Sequence, residues 1–236
     1  RREAFQSLNR QIPLKTARQM ILASLSKFPL RVAGVLLPLA LAGVSQAEEI
    51  TGPFAYPTGL LDAPATLTTP LGQDARIGKP RIVLESTKLK DLAEMTGATR
   101  LSEGEGDFRR DTICLTGTSH GKPMLAWFIA TDSSFVTEVQ LEWAGDRDVP
   151  EFCRRLDTQH MPVQIGRIGL GMESALVNEL LGRASHTDEA GWHYWFSQRF
   201  LRNKRGLQEL ELNWLAVHYD DEGRVDKTFS SQVTNL

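Results

Sequence analysis

Residues 122–143 read KPMLAWFIATDSSFVTEVQLEW, and this stretch decides the fold class. From Lys122 to Thr131 the chain is apolar nearly throughout, as a central strand buried on both faces would be. Phe135, Thr137, Val139, Leu141 and Trp143 then alternate with Val136, Glu138, Gln140 and Glu142, which predicts a strand with one core face and one wet face. Asp132-Ser133-Ser134 supplies the turn between the two.

Working outward, Arg81–Leu84 leads into a predicted helix over Lys88–Met95, with Leu89, Leu92 and Met95 on one face and Gly97 as its stop. A similar layout follows downstream. Arg167–Leu170 leads into a predicted helix over Ser174–Leu181, striped by Leu176, Val177, Leu180 and Leu181 and stopped by Gly182. Strands are then predicted at Gly191–Arg199, Leu207–Tyr219 and Arg224–Val233, with Asp220–Gly223 closing the last hairpin. Along Leu207–Tyr219 the apolar parity switches near Asn213, which predicts a β-bulge there. Val149–Thr158 reads as a helical link. The expectation is therefore an α+β fold: two similar helix-plus-three-stranded antiparallel units in tandem, over residues 81–160 and 161–236. Ahead of them, residues 48–80 hold Pro53, Pro57, Pro64, Pro70 and Pro80 and read as a Pro/Gly-rich arm.

The N-terminal segment gives an address. Lys27 and Arg31 precede an apolar run from Val32 to Val44, and Ser45-Gln46-Ala47 follows with small residues at the right places for a cut before Glu48. That is the pattern of a cleaved secretory signal peptide. The run has 13 residues and contains Pro38, whereas a membrane-spanning helix needs about 20. Met20 is the expected translation start, which makes residues 1–47 an over-extended N-terminus plus signal. The expected location is periplasmic, or alternatively secreted, with no integral membrane segment after cleavage.

The 236-residue chain has 41% apolar residues, 27 Lys+Arg and 29 Asp+Glu, which excludes disordered and disulfide-dense classes. Removing residues 1–47 takes seven of the basic residues and one of the acidic ones, leaving a formal charge of −8. A net-negative chain repels phosphate backbones, so nucleic acid is not expected as a partner. Arg199, Arg202, Lys204 and Arg205 form a short basic cluster between two predicted strands. The two cysteines, Cys114 and Cys153, pair naturally in an oxidising compartment, with two buried thiols as the alternative.

The second unit resembles a known group. Gly171-Met172 opening a helix, Val177 to Leu181-Gly182 closing it, the Trp192/Tyr194/Trp195 strand and the Tyr219–Val225 hairpin look like the SmpA/OmlA (BamE) family of small envelope proteins. That family shares a fold with the tandem-repeat β-lactamase inhibitor proteins. The likeness covers residues 165–236 and implies a periplasmic helix-plus-sheet module that works by binding other proteins. The outer-membrane members carry a cysteine directly after the signal, where this chain has Glu48.

There is no HExxH, P-loop or CxxC pattern, and the one GxSxG spacing, Gly117-Thr118-Ser119-His120-Gly121, falls between two strand-like stretches and not between a strand and a helix as a nucleophile elbow requires. Gly104-Glu105-Gly106 has acidic neighbours that would repel phosphate, and Glu103, Glu105 and Asp107 lack calcium-loop spacing. Ser119-His120 with Asp111 could be drawn as a nucleophile pair, but adjacent residues on a strand point apart. His160, His186, His193 and His218 are scattered. No catalytic residue, metal or cofactor is assigned. The expected binding residues are Trp192, Tyr194, Trp195 and Trp214, because Trp and Tyr bring large contact area at low entropic cost. The expected function is a non-catalytic exported envelope protein that binds another envelope or secreted protein through an aromatic sheet face. A small-ligand or peptidoglycan-fragment binding module, or an unrecognised periplasmic hydrolase, stands as the alternative.

Overall fold

The computed structural model describes residues 50–61, 66–67, 74–106, 109–131, 134–203 and 205–235. The expected signal segment, its cut between Ala47 and Glu48, and Asp132 and Ser133 of the expected turn lie outside the described residues.

The fold is mostly β. Its strands are β1 (Thr66–Leu67), β2 (Ala75–Ile77), β3 (Arg81–Ile82), β4 (Arg100–Glu103), β5 (Arg110–Ser119), β6 (Lys122–Thr131) and β7 (Glu138–Trp143). They continue with β8 (Arg154–Arg155), β9 (Val163–Ile165), β10 (His186–Thr187), β11 (Trp192–Arg202), β12 (Gln208–Tyr219) and β13 (Val225–Asn235). The described α-helices are α1 (Leu89–Thr96) and α2 (Ser174–Leu181), eight residues each. One sheet runs β1-β11-β12-β13-β7-β6-β5-β4, with β10 on β11 and β8 on β5, and β3-β2-β9 forms a second sheet.

The expected tandem of separate helix-plus-three-stranded units is therefore corrected. β13 pairs with β7 from Lys227↔Glu142 to Ser231↔Glu138, so the strands of both halves belong to one sheet. β2 likewise pairs with β9 across the expected 160/161 boundary. The physical reason is edge pairing: two isolated sheets would each leave a row of unpaired N–H and C=O groups, and joining them satisfies both.

Both predicted helices form, and each ends on a glycine with positive φ, Gly97 at 69° and Gly182 at 77°. The β5–β6 hairpin turns through His120 and Gly121, with φ of 51° and 76°, the double positive φ of a type I′ turn. The Val149–Thr158 link is not helical. It makes a turn in which Cys153 N donates to Pro150 O at 2.9 Å, then β8, then a 3-10 turn over Thr158–His160. The bulge falls between His218 and Tyr219, and pairing is regular through Asn213. The parity switch has another cause: β12 is apolar on both faces, with Leu210, Leu212 and Trp214 on one and Leu215 and Val217 on the other.

The inner face of the main sheet carries the principal core. Ile113, Leu115, Phe128, Val139, Leu141, Trp195, Leu215 and Val217 pack with Leu89 and Leu92 of α1, Val177 of α2, and Ile77 and Val163 of the small sheet. The outer face is covered too, by two smaller clusters. Ile50, Ala144 and Cys153 lie with Trp127, Leu125 and Cys114, while Phe54 and Leu60 lie with Trp192, Tyr194, Ala216 and Phe229. This overturns the wet face expected for β7, since Glu138, Gln140 and Glu142 are all buried. Cys114 and Cys153 form a disulfide.

Candidate binding face

Alternation and ladder register put one set of side chains on the outer face of β11, β12, β13 and β7. One rung holds Tyr194, Ala216, Phe229 and Gln140; the next toward the β11–β12 turn holds Phe196, Trp214, Ser231 and Glu138. Beyond them, Gln198, Leu212 and Val233 form a third rung, and Phe200 stands opposite Leu210.

Residues 50–61 cover one half of the face, and among the described residues no segment crosses the other, here called the open half. In the covered half, residues 50–61 cross the sheet. Phe54 packs on Trp192 with ring centroids 5.6 Å apart, and Tyr56 meets Phe229 edge-on at 5.7 Å. The Tyr56 hydroxyl donates to both oxygens of Glu138, at 3.1 and 2.9 Å. Gly59 N donates to the Tyr194 hydroxyl at 2.9 Å, and that hydroxyl donates to Asp188 Oδ2 at 2.5 Å. Thr58 Oγ1 donates to the same Asp188 oxygen at 3.1 Å.

Electrostatics follow from these partners. Burial pushes the Glu138 carboxyl above its ordinary value; donation from Tyr56, the charge of Arg110 and donation from Thr131 oppose that only in part. Arg110 Nη2 stands 3.6 Å from Glu138 Oε2, an ion pair longer than a hydrogen bond. Burial acts the same way on Asp188, but donors from Tyr194, the Trp192 and Ala190 amides and Thr58 outweigh it and hold Asp188 below the usual carboxylate range. Gln140 is fully buried, and neither its amide nitrogen nor its oxygen has a partner.

In the open half, Phe196 and Trp214 stack obliquely at 5.0 Å and are half-buried, as are Leu210 and Leu212. Phe200 is 67% exposed and Val233 37%. Arg202 is exposed on the same face at the end of β11, and Arg205 is exposed in the turn beyond it.

The expected binding aromatics are divided among these places. Trp192 and Tyr194 lie under residues 50–61, Trp214 packs against their cluster at the border of the open half, and Trp195 points the other way, where its Nε1 donates to Gly182 O at 3.1 Å within the inner core. Sequence reasoning missed Phe196, Phe200, Leu212 and Val233 as their neighbours. The period-2 spacing of Phe196, Gln198 and Phe200 with Leu210, Leu212 and Trp214 was the available signal.

The histidines do not assemble a centre. His218 Nδ1 lies 2.6 Å from Asp226 Oδ1, with the Trp192 ring 5.4 Å from the His218 ring, and no hydroxyl or thiol nucleophile joins the pair in its described contacts. His193 packs against Tyr219 on the inner face and is held below its ordinary pKa by burial and then by His218. His120 sits in the β5–β6 turn. Among the described residues, no three His, Cys, Asp or Glu side chains converge as a metal site. No described helix is long and apolar enough to cross a membrane. No family model, no curated protein and no solved structure matches the chain.

Proposed function

We propose that the chain is a non-catalytic exported protein of the cell envelope, periplasmic rather than secreted, that binds another protein through the outer face of its main sheet. The observation that carries this is the open half of that face: Phe196, Phe200, Leu210, Leu212, Trp214 and Val233 stand together, with Phe200 67% exposed. Contiguous exposed apolar surface on a folded domain marks an interaction site, and aromatic side chains are its usual anchors. The partner presents an apolar surface with an acidic rim, because Arg202 and Arg205 lie at the end of the patch on a chain whose net charge is −2. The Cys114–Cys153 disulfide fits an oxidising compartment outside the cytoplasm.

Site-specific photo-cross-linking tests the reading. A benzophenone side chain at Phe200, expressed in the native envelope, is expected to give a discrete adduct whose partner is identified by mass spectrometry and which Trp214→Asp removes. The same probe at Met95 on α1, exposed but away from this face, is expected to give none. A folded protein that cross-links equally from both positions, or from neither, would overturn the proposal.

A further inference from the structure

The covered half of the face has an unusual occupant. Residues 50–57 make no strand pairing, and Thr58–Leu61 form only a 3-10 turn. Among the described residues, the contacts of this segment with the sheet and its loops include ring packing, the Tyr56 and Thr58 hydroxyls, and the backbone amide of Gly59. Pro53 and Pro57 bracket Phe54-Ala55-Tyr56 and favour an extended backbone with alternating side chains. Lys227 Nζ sits 5.9 Å from the Phe54 ring centroid, so the aromatic position is also matched to a cation. Beside Phe229, on which Tyr56 rests, the fully buried amide of Gln140 has neither of its hydrogen-bonding ends used. A buried amide left unpaired costs free energy, and an extended backbone brought within reach could supply both a carbonyl and an N–H.

We propose that this half of the face is a binding site for an extended, proline-flanked aromatic segment of a partner protein, which residues 50–61 occupy in cis. In this arrangement Trp192, Tyr194 and Phe229 hold the aromatic side chains, Glu138 accepts a tyrosine hydroxyl, Asp188 accepts an aliphatic hydroxyl, and Gln140 pairs with the incoming backbone. The idea rests on the protein-binding reading of the outer face, and it names the chemistry of the partner's segment. It also gives residues 50–61 a role: they keep a large apolar surface dry until a better-matched segment displaces them.

The probe is a fluorescein-labelled peptide with the sequence of residues 50–61, added to the full chain. Weakening the cis segment with Phe54→Ala/Tyr56→Ala is expected to tighten peptide binding by at least about tenfold over wild type, because the vacant face is no longer mostly self-occupied. Adding Gln140→Leu is expected to raise thermal stability without weakening this peptide, because residues 50–61 make no bond to Gln140. A folded double variant that binds the peptide no better than wild type, or binds a scrambled peptide as well, overturns the proposal. Native-state hydrogen exchange on the wild type needs no variant. The Gly59 amide is expected to exchange far faster than the Ala216 amide, and exchange of both at the same global rate overturns it equally. These measurements read the covered half, whereas cross-linking from Phe200 reads the open half, so either result can fail alone.

Discussion

The Tyr56 hydroxyl donates to both carboxylate oxygens of Glu138, joining a residue ahead of the first strand to the centre of the main sheet. The acceptor is buried, and Arg110 stacks its guanidinium 5.2 Å from the Tyr56 ring centroid. With Arg110 and Thr131, the Tyr56 hydroxyl favours the charged form of a carboxyl whose burial disfavours charge.

Tyr56→Phe keeps the ring on Phe229 and removes that donor. The expected cost at pH 7 is about 1–2 kcal/mol, the range for a hydrogen bond to a charged group that is partly reached by solvent. The pH dependence follows from direction. Burial raises the folded pKa of Glu138 above its unfolded value, so its favourable contribution is complete below the unfolded value and is lost as pH rises through the folded one. Donation from Tyr56 opposes that loss by favouring the charged form. Urea unfolding should therefore show a penalty for Tyr56→Phe that is largest near neutrality and shrinks toward pH 4; a penalty that grows on acidification contradicts the assignment.

Two glycine positions separate a rigid contact from a yielding one. A Cβ at Gly59 would stand 2.6 Å from the Tyr194 ring, which is fully buried and tied to Asp188, so it has nowhere to go. A Cβ at Gly117 would stand 2.8 Å from Met161 Sδ, the flexible end of a side chain. Gly59→Ala is expected to lower stability by about 1–3 kcal/mol and expose Trp192 to quenching, while Gly117→Ala stays within about 1 kcal/mol of wild type. Equal effects at the two sites would contradict this account.

The elements that local pattern specifies were legible. Lys122–Thr131 is apolar on both parities and forms a strand buried on both faces; the stripes ending at Gly97 and Gly182 form helices. What decides the architecture is non-local. Alternation at Glu138, Gln140 and Glu142 is equally consistent with water or with a polar row under a cover, and the cover at Tyr56 lies 82 residues away. Nor does any local signal say that β13 will choose β7 as its neighbour. The aromatic strand shows the same limit: Trp195 and Tyr194 are adjacent, so one had to face inward, and β11 is apolar enough on both sides to hide which. The Phe54-x-Tyr56 spacing between two prolines was visible, but its target was not.

The Cys114–Cys153 disulfide spans 39 residues and pins the segment that covers Trp127, where Phe152 lies 6.2 Å from the indole. Chain-entropy reasoning gives about 4 kcal/mol for closing a loop of that length. Cys114→Ser/Cys153→Ser is therefore expected to lower the urea midpoint strongly and to red-shift Trp127 fluorescence before global unfolding. The wild type under reductant should follow the variant. No change in midpoint on reduction would show that the covering segment is held by packing alone.

Arg199 and Glu211 provide the acid-side test. Glu211 is buried and accepts from Arg199 Nε at 2.7 Å, Arg199 Nη2 at 2.9 Å and Asn213 Nδ2 at 2.9 Å. Burial alone would raise its pKa, but the donors from Arg199 and Asn213 outweigh it and hold the carboxyl below the usual range. With the folded value below the unfolded one, the contribution is present above the unfolded value and disappears as pH falls through the folded one. Arg199 is half exposed, so solvent screens the pair, and Arg199→Ala should cost about 1–2 kcal/mol at pH 7. The difference between wild type and variant should fade as pH falls through the depressed folded value, where Glu211 becomes protonated. Because Arg199 points to the inner face while Phe200 points outward, the variant should also keep the Phe200 cross-link. A penalty that stays constant from neutral to acidic pH would mean that Arg199 acts through packing of its stem and not through the Glu211 charge.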